Sequence, residues 1–222
     1  MKKGAGGTMM VRKLGGGARL TCLLFLSAAA LSCDAPSAGQ APAERKAAAP
    51  ALATAIFAGG CFWCTEADFE KLPGVRAAVS GYTGGRVPNP TYEMVTRDNT
   101  GHYEAVRVTY DPSRISYQAL VRHFFRTVDP TDAGGQFCDR GSSYRTAIFV
   151  SGEQQQRIAQ AEKALAAKTL RRPVVTPVLA AAPFYAAEGY HQDYYKKNPI
   201  RYRFYRLNCG RDAKLRQVWG KK

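Results

Sequence analysis

Ala55-Ile56-Phe57-Ala58-Gly59-Gly60-Cys61-Phe62-Trp63-Cys64-Thr65-Glu66 is the stretch on which the reading turns. Its first four residues are an apolar run of strand length. From Ala67 to Leu72 the pattern is amphipathic and stops at Pro73-Gly74, as a helix does. Gly59-Gly60 sits at the junction, where the backbone must turn sharply without a Cβ penalty. Cys61 therefore begins the helix, where free N–H groups and the positive end of the dipole favour an anion. The expectation is a thiol that ionises easily and acts as a nucleophile. Phe62 and Trp63 put an aromatic wall beside that sulfur, suited to a small, weakly polar substrate group.

Outward from the junction, Val75 to Tyr82 reads as a second strand and Thr83 to Thr91 as a loop set by Gly84-Gly85, Pro88 and Pro90. Tyr92 to Val95 forms a short helical turn. Glu104 to Tyr110 alternates, with Glu104, Val106, Val108 and Tyr110 on one face. Ile115 to Val128 is helical and Asp129 to Gly141 a loop. Tyr144 to Val150 is a strand and Gly152 to Lys168 a long helix. Short strands follow around Val174-Val175 and Val178-Leu179, and Tyr185 to Lys197 reads as helical. The order β-α-β-β-α-β predicts an α+β, ferredoxin-like sandwich: a mainly antiparallel sheet, helices packed on it, and a long irregular C-terminal tail.

The chain has 222 residues, 45% of them hydrophobic, enough for one sizeable core in a single domain. Its net charge of +15 invites a nucleic-acid reading. Five of the cations (Lys2, Lys3, Arg12, Lys13 and Arg19) precede the apolar stretch Leu20 to Leu31, the layout of a secretory signal. Ala30-Leu31-Ser32-Cys33 resembles a bacterial lipoprotein box, which would leave Cys33 lipidated; a plain cleaved signal and an uncleaved anchor stay open. Residues 34–52, rich in Ala, Pro, Ser and Gln, read as a disordered tether, and 53–222 as the catalytic domain. The localisation expected is the bacterial envelope, periplasmic or membrane-anchored. Export makes nucleic acid a poor partner and an acidic membrane surface a better one for the Tyr-, Lys- and Arg-rich stretch 194–216.

Glu104 is the second candidate. If it follows the inward face of its strand, desolvation raises its pKa and keeps it protonated. A neutral acid beside a sulfur nucleophile can hand its proton to an oxygen that departs as the sulfur attacks. The pattern equally allows a strand-end side chain that reaches water.

Gly-Cys-Phe-Trp after an apolar strand, together with Gly101-His102-Tyr103-Glu104-Ala105, resembles the A-type peptide methionine sulfoxide reductases, the S-epimer-specific enzymes that restore oxidised methionine. Asn89-Pro90-Thr91-Tyr92 and Asp139-Arg140-Gly141-Ser142-Ser143-Tyr144-Arg145 resemble further segments of that family. The resemblance implies that Tyr92 and Tyr144 bond the sulfoxide oxygen and that Asp139 orders the site. It also implies that Phe62 and Trp63 hold the S-methyl group, and that no metal or organic cofactor takes part. Cys61 would become a sulfenic acid, a second cysteine would resolve it, and a thioredoxin-like dithiol would reduce the resulting disulfide. The substrates implied are oxidised proteins or peptides and free methionine sulfoxide. Many family members carry glycine where this chain has Cys64. The resolving candidates are Cys209 first, beside a flexible glycine, then Cys64 and Cys138; a static Cys138–Cys209 disulfide is the rival reading for that pair.

Two other readings use the same cysteines. Cys61-Phe62-Trp63-Cys64 also fits a thioredoxin-like disulfide oxidoreductase. Cys61, Cys64, Cys138 and Cys209 together fit a zinc site, although the second pair is not closely spaced. Of the three histidines, His102 reads as a loop hydrogen-bonder, His123 as a helix-surface residue and His191 as packing.

Overall fold

The computed structural model describes residues 51–220, so the expected export signal, Cys33 and nearly all of the expected tether lie outside the described residues. In chain order the strands are β1 (Ala53–Gly59), β2 (Val75–Thr83), β3 (Tyr103–Tyr110), β4 (Gly135–Gln136), β5 (Asp139–Arg140), β6 (Thr146–Val150), β7 (Val178–Ala180) and β8 (Phe184–Ala186). The helices are α1 (Phe62–Glu70), α2 (Tyr92–Thr96), α3 (Tyr117–Arg126), α4 (Glu153–Leu170), α5 (Tyr194–Lys197), α6 (Pro199–Asn208) and α7 (Arg211–Trp219).

The fold is α+β, with a mixed six-stranded sheet in the order β7-β6-β1-β3-β2-β8. β1 pairs antiparallel with β3, Phe57 opposite Val106, and with β6, Gly59 opposite Thr146. β3 pairs antiparallel with β2, Tyr82 opposite Glu104. Alternation gives each strand one face toward the helices. Phe57, Val106 and Val108 are buried there with Phe69 of α1, Leu120 and Phe124 of α3 and Ala159 of α4. The Phe57 ring stacks on Phe69 and Phe124 at 4.8 and 5.2 Å. Burying a side chain of that size stabilises the sheet–helix contact by about 2–3 kcal/mol. A smaller cluster, Ala58, Ala105, Ala147 and Phe149, covers the opposite face.

The sheet is mainly antiparallel, as expected, and is mixed only because β7 pairs parallel with β6, Ile148 opposite Val178. Three expectations are corrected. Tyr185 to Lys197 is not one helix: it begins in β8, which pairs antiparallel with β2, and only Tyr194–Lys197 is helical. That pairing needs a glycine, since a Cβ on Gly81 would stand 2.3 Å from the Tyr185 carbonyl oxygen. The C-terminal tail is not irregular; it forms α6 and α7. Pro199 starts α6 at a position where its missing N–H costs nothing, and Gly210 at φ +67° breaks it from α7. Val174-Val175 forms no strand.

Candidate active site

The turn from β1 into α1 sets the geometry. Gly60 adopts φ +78°, and a Cβ there would lie 2.5 Å from the Gln136 Cβ. Cys61 occupies the N-cap, its carbonyl accepting the N–H groups of Cys64 and Thr65 at 3.2 Å, while its side chain caps nothing. The next N–H, of Phe62, donates to Glu104 Oε2 at 3.0 Å. Glu104 follows the inward face of β3 and is 2% exposed. Burial pushes its pKa up to about 8, against the opposing Phe62 hydrogen bond, so it is mainly protonated at neutral pH.

A small cavity of about 50 Å³ opens over these groups. Cys61, Phe62 and Trp63 line it from the β1–α1 junction, Tyr92 from α2, Glu104 from β3, Asp139 from β5 and Tyr144 from the turn after β5. All seven residues singled out for catalysis and substrate binding thus converge on one cleft. The Tyr92 and Tyr144 hydroxyls are hydrogen-bonded to each other, and burial first, then Glu104, holds Tyr144 protonated.

The cysteines depart from expectation in two ways. First, Cys61 is 6% exposed, and burial raises its thiol well above the ordinary value. The expectation of an ionised Cys61 is corrected: the helix-end N–H meant for the thiolate serves Glu104 instead. The hydrogen bond between Cys61 and Cys64 puts the charge on the other sulfur. It lowers Cys64 to about 7, helped by Arg211 and Arg206. Second, Cys138 and Cys209 are joined in a disulfide across 71 residues of sequence. Cys209 therefore has no free thiol in this state, and among the described residues the free thiols are Cys61 and Cys64. Four thiolates for a zinc site do not coexist with that disulfide.

Several cleft residues were not singled out from the sequence. Tyr205 of α6 completes the lining, and its hydroxyl donates to Asp139. The Asp139 carboxylate also lies 3.8 Å from both disulfide sulfurs. His191 does more than pack: its Nδ1 accepts the Trp63 Nε1–H at 3.0 Å, and burial lowers its pKa and keeps it neutral. Tyr194 stacks on one face of the Trp63 indole, 3.7 Å between centroids and 6° between planes. Glu188 accepts the Tyr92 N–H and the Tyr82 hydroxyl at 2.8 and 2.9 Å. Arg211, 2% exposed, donates to the carbonyls of Gly59 and Thr127 beneath the active turn. The lone signal for His191 was that it is one of three histidines; Tyr194, Tyr205 and Arg211 were marked only as part of the Tyr-, Lys- and Arg-rich stretch 194–216, and nothing marked Glu188. His102 bonds Gly85 N–H and the Val87 carbonyl, as a loop hydrogen-bonder should.

Residues 53–222 match the family model described as peptide methionine sulfoxide reductase. The chain belongs to that family. It is 54% identical to peptide methionine sulfoxide reductase MsrA 2 of Caulobacter vibrioides, over 91% of this chain and 98% of that protein. It is 51% identical to peptide methionine sulfoxide reductase MsrA of Bacillus subtilis, over 76% and 96% respectively. Among solved structures, this reductase resembles Mxr1 of Saccharomyces cerevisiae in reduced form, with TM-score 0.64 and 29% identity over 67% of this chain and 87% of that one. It also resembles methionine sulfoxide reductase A of Corynebacterium diphtheriae, with TM-score 0.63 and 34% identity over 68% and 77%.

Proposed function

We propose that the cleft reduces the S epimer of methionine sulfoxide, in peptides or as the free amino acid, with a protonated Glu104 set against Cys61 as the observation that carries the reading. The scaffold assigned to this chemistry is a ferredoxin-like β-α-β-β-α-β core extended at its edges by β7 and β8. The substrate sulfur sits against Cys61, its methyl group between Phe62 and Trp63, and its oxygen toward Glu104, Tyr92 and Tyr144. As the oxygen takes the Glu104 proton, Cys61 passes its own proton to the Cys64 thiolate and attacks sulfur. The substrate S–O bond breaks as its oxygen passes to the Cys61 sulfur: methionine leaves, reduced by two electrons, and Cys61 becomes a sulfenic acid. A proton returns to Glu104 before the next turnover.

Cys64 is the resolving residue in this scheme. It touches Cys61, and a thiol at about 7 attacks efficiently near neutral pH. Its attack on the sulfenic acid releases water and forms a Cys61–Cys64 disulfide, which a thioredoxin-like dithiol reduces. The pure disulfide oxidoreductase reading leaves Glu104, Tyr92 and Tyr144 without a task. Export, with Cys33 lipidated or cleaved away, rests on the sequence and is supported by the Cys138–Cys209 disulfide, a bond that persists in oxidising compartments.

The test is turnover of each sulfoxide epimer separately, in wild type, Cys61→Ser and Glu104→Gln. The reading requires S-epimer reduction in the wild type, none in Cys61→Ser, and a severe loss in Glu104→Gln. Equal use of both epimers, or a fully active Glu104→Gln, would overturn it.

A further inference from the structure

Ile200, Phe204 and Leu207 are 84, 69 and 78% exposed, more than any other large apolar side chain among the described residues. All three belong to α6. Their spacing of four and then three residues puts them in one line along the helix. The opposite side of α6 is fully engaged: Tyr202 is buried against Cys64 and Ala67, and Tyr205 reaches into the cleft. The outward line is therefore not a fraying end but a fixed apolar stripe with nothing on it.

Arg201 and Arg203, both exposed, flank the stripe on its two sides, and Lys197 stands exposed at its N-terminal end. From Tyr194 to Trp219 the single acid is Asp212, and Arg206 holds it at 2.7 Å. Along this stretch the chain is thus apolar at the centre of its outward face and cationic at the margins, and its one carboxylate is already paired. Long arginine stems can lie along lipid while their guanidinium groups stay at the headgroups. Among the described residues no helix is long and apolar enough to cross a membrane, so a helix of this kind would lie in the interface.

We propose that the outward face of α6 docks the domain onto an anionic lipid bilayer. Charge complementarity favours this occupant, and so does the reach of the chain. The signal-like segment ends near Cys33, and residues 34–52 fully extended span no more than about 65 Å. A chain held by that segment keeps α6 within reach of the headgroups. Because Tyr205 projects from the other side of the same helix, docking sets the cleft about one helix diameter, roughly 10 Å, above the lipid. The inference is independent of the cleft's chemistry.

The experiment uses the full chain bound to vesicles, with amide exchange read over residues 199–208. One set of vesicles contains about one third phosphatidylglycerol in phosphatidylcholine and the other phosphatidylcholine alone. The N-terminal segment can hold the protein on either, so exchange in α6 isolates the docking contact. Exchange should slow about fivefold or more on the anionic vesicles and stay unchanged on the neutral ones. The slowing should vanish in Phe204→Ser/Leu207→Ser and in Arg201→Glu/Arg203→Glu, both of which keep wild-type turnover of free methionine sulfoxide. Equal exchange on the two vesicle types would overturn the proposal. So would slowing in solution that grows with protein concentration, which would identify a second copy as the occupant. Slowing only after an oxidised polypeptide or a dithiol protein is added would overturn it too, in favour of a protein partner.

Discussion

The backbone N–H of Phe62 donates to Glu104 Oε2 at 3.0 Å, tying the first residue of the helix that follows the nucleophile to the acid on the neighbouring sheet. That bond fixes where the acid points, and it also uses the helix-end donor that would otherwise stabilise a Cys61 thiolate. The site therefore stores its proton on carbon-bound oxygen and its charge on Cys64.

Glu104 should govern how activity depends on pH. Its pKa, pushed up to about 8, means the acid form is present below that value and is lost above it. Single-turnover S-sulfoxide reduction should fall as pH rises through about 8. Glu104→Gln should lower the rate about 100-fold or more and abolish that decline. Stability carries the same signature. Between the ordinary carboxylate pKa and about 8 the folded state binds the proton more tightly, so unfolding free energy should drop as pH rises across that window. Urea midpoints of Glu104→Gln should lack this particular slope.

Cys64 should separate the first turnover from recycling. With Cys64→Ser, one equivalent of methionine should still form per chain, and a sulfenic acid should be trapped on Cys61. Steady-state turnover with a thioredoxin-like reductant should drop at least about tenfold. Thiolate absorbance should reveal one group ionising near pH 7 in the wild type and none there in Cys64→Ser. If Cys64→Ser recycles normally while Cys209→Ser does not, the tail cysteine is the resolver.

Much of this was legible before any coordinates. Alternation in β3 put Glu104 on the face of Val106 and Val108, because a half-buried strand has a period of two. The glycines before Cys61 announced the turn. Tyr92 and Tyr144 came from resemblance alone, since nothing local separates them from the other tyrosines. Tyr205 and Arg211 were not legible as cleft residues, and His191 stood out only as one of three histidines. The apolar period of α6, Ile200, Phe204 and Leu207, marks its exposed side and says nothing of the residues on the side that meets the cleft. The ionisation of Cys61 was misjudged for a related reason: the helix-end argument counts donors but does not know which are already taken.

The Cys138–Cys209 disulfide should act chiefly on stability. It closes a loop across 71 residues, which chain entropy values at about 4 kcal/mol. Cys209→Ser should lower the urea midpoint accordingly while leaving the first turnover within about tenfold of wild type. A dithiol that reduces this bond without unfolding the protein should loosen Tyr205 from Asp139, visible as altered Trp63 fluorescence.

Arg211 offers the sharpest test of how the C-terminal helices serve the site. Its guanidinium reaches from the first residue of α7 under the active turn and donates to the Gly59 and Thr127 carbonyls. It also stands 3.8 Å from Asp68 and lies over the Phe137 ring. Arg211→Met keeps most of the volume but removes the guanidinium donors from two buried carbonyls and leaves the Asp68 carboxylate with its Arg206 and Lys71 partners. The expected cost is about 3 kcal/mol in unfolding free energy, from unpaired buried groups. Because Arg211 also favours the charged form of Cys64, the thiolate titration near pH 7 should move upward in the variant. A merely structural arginine would lower the urea midpoint and leave that titration where it was. The two readouts together therefore distinguish a brace under the turn from a residue that sets the charge of the resolving thiol.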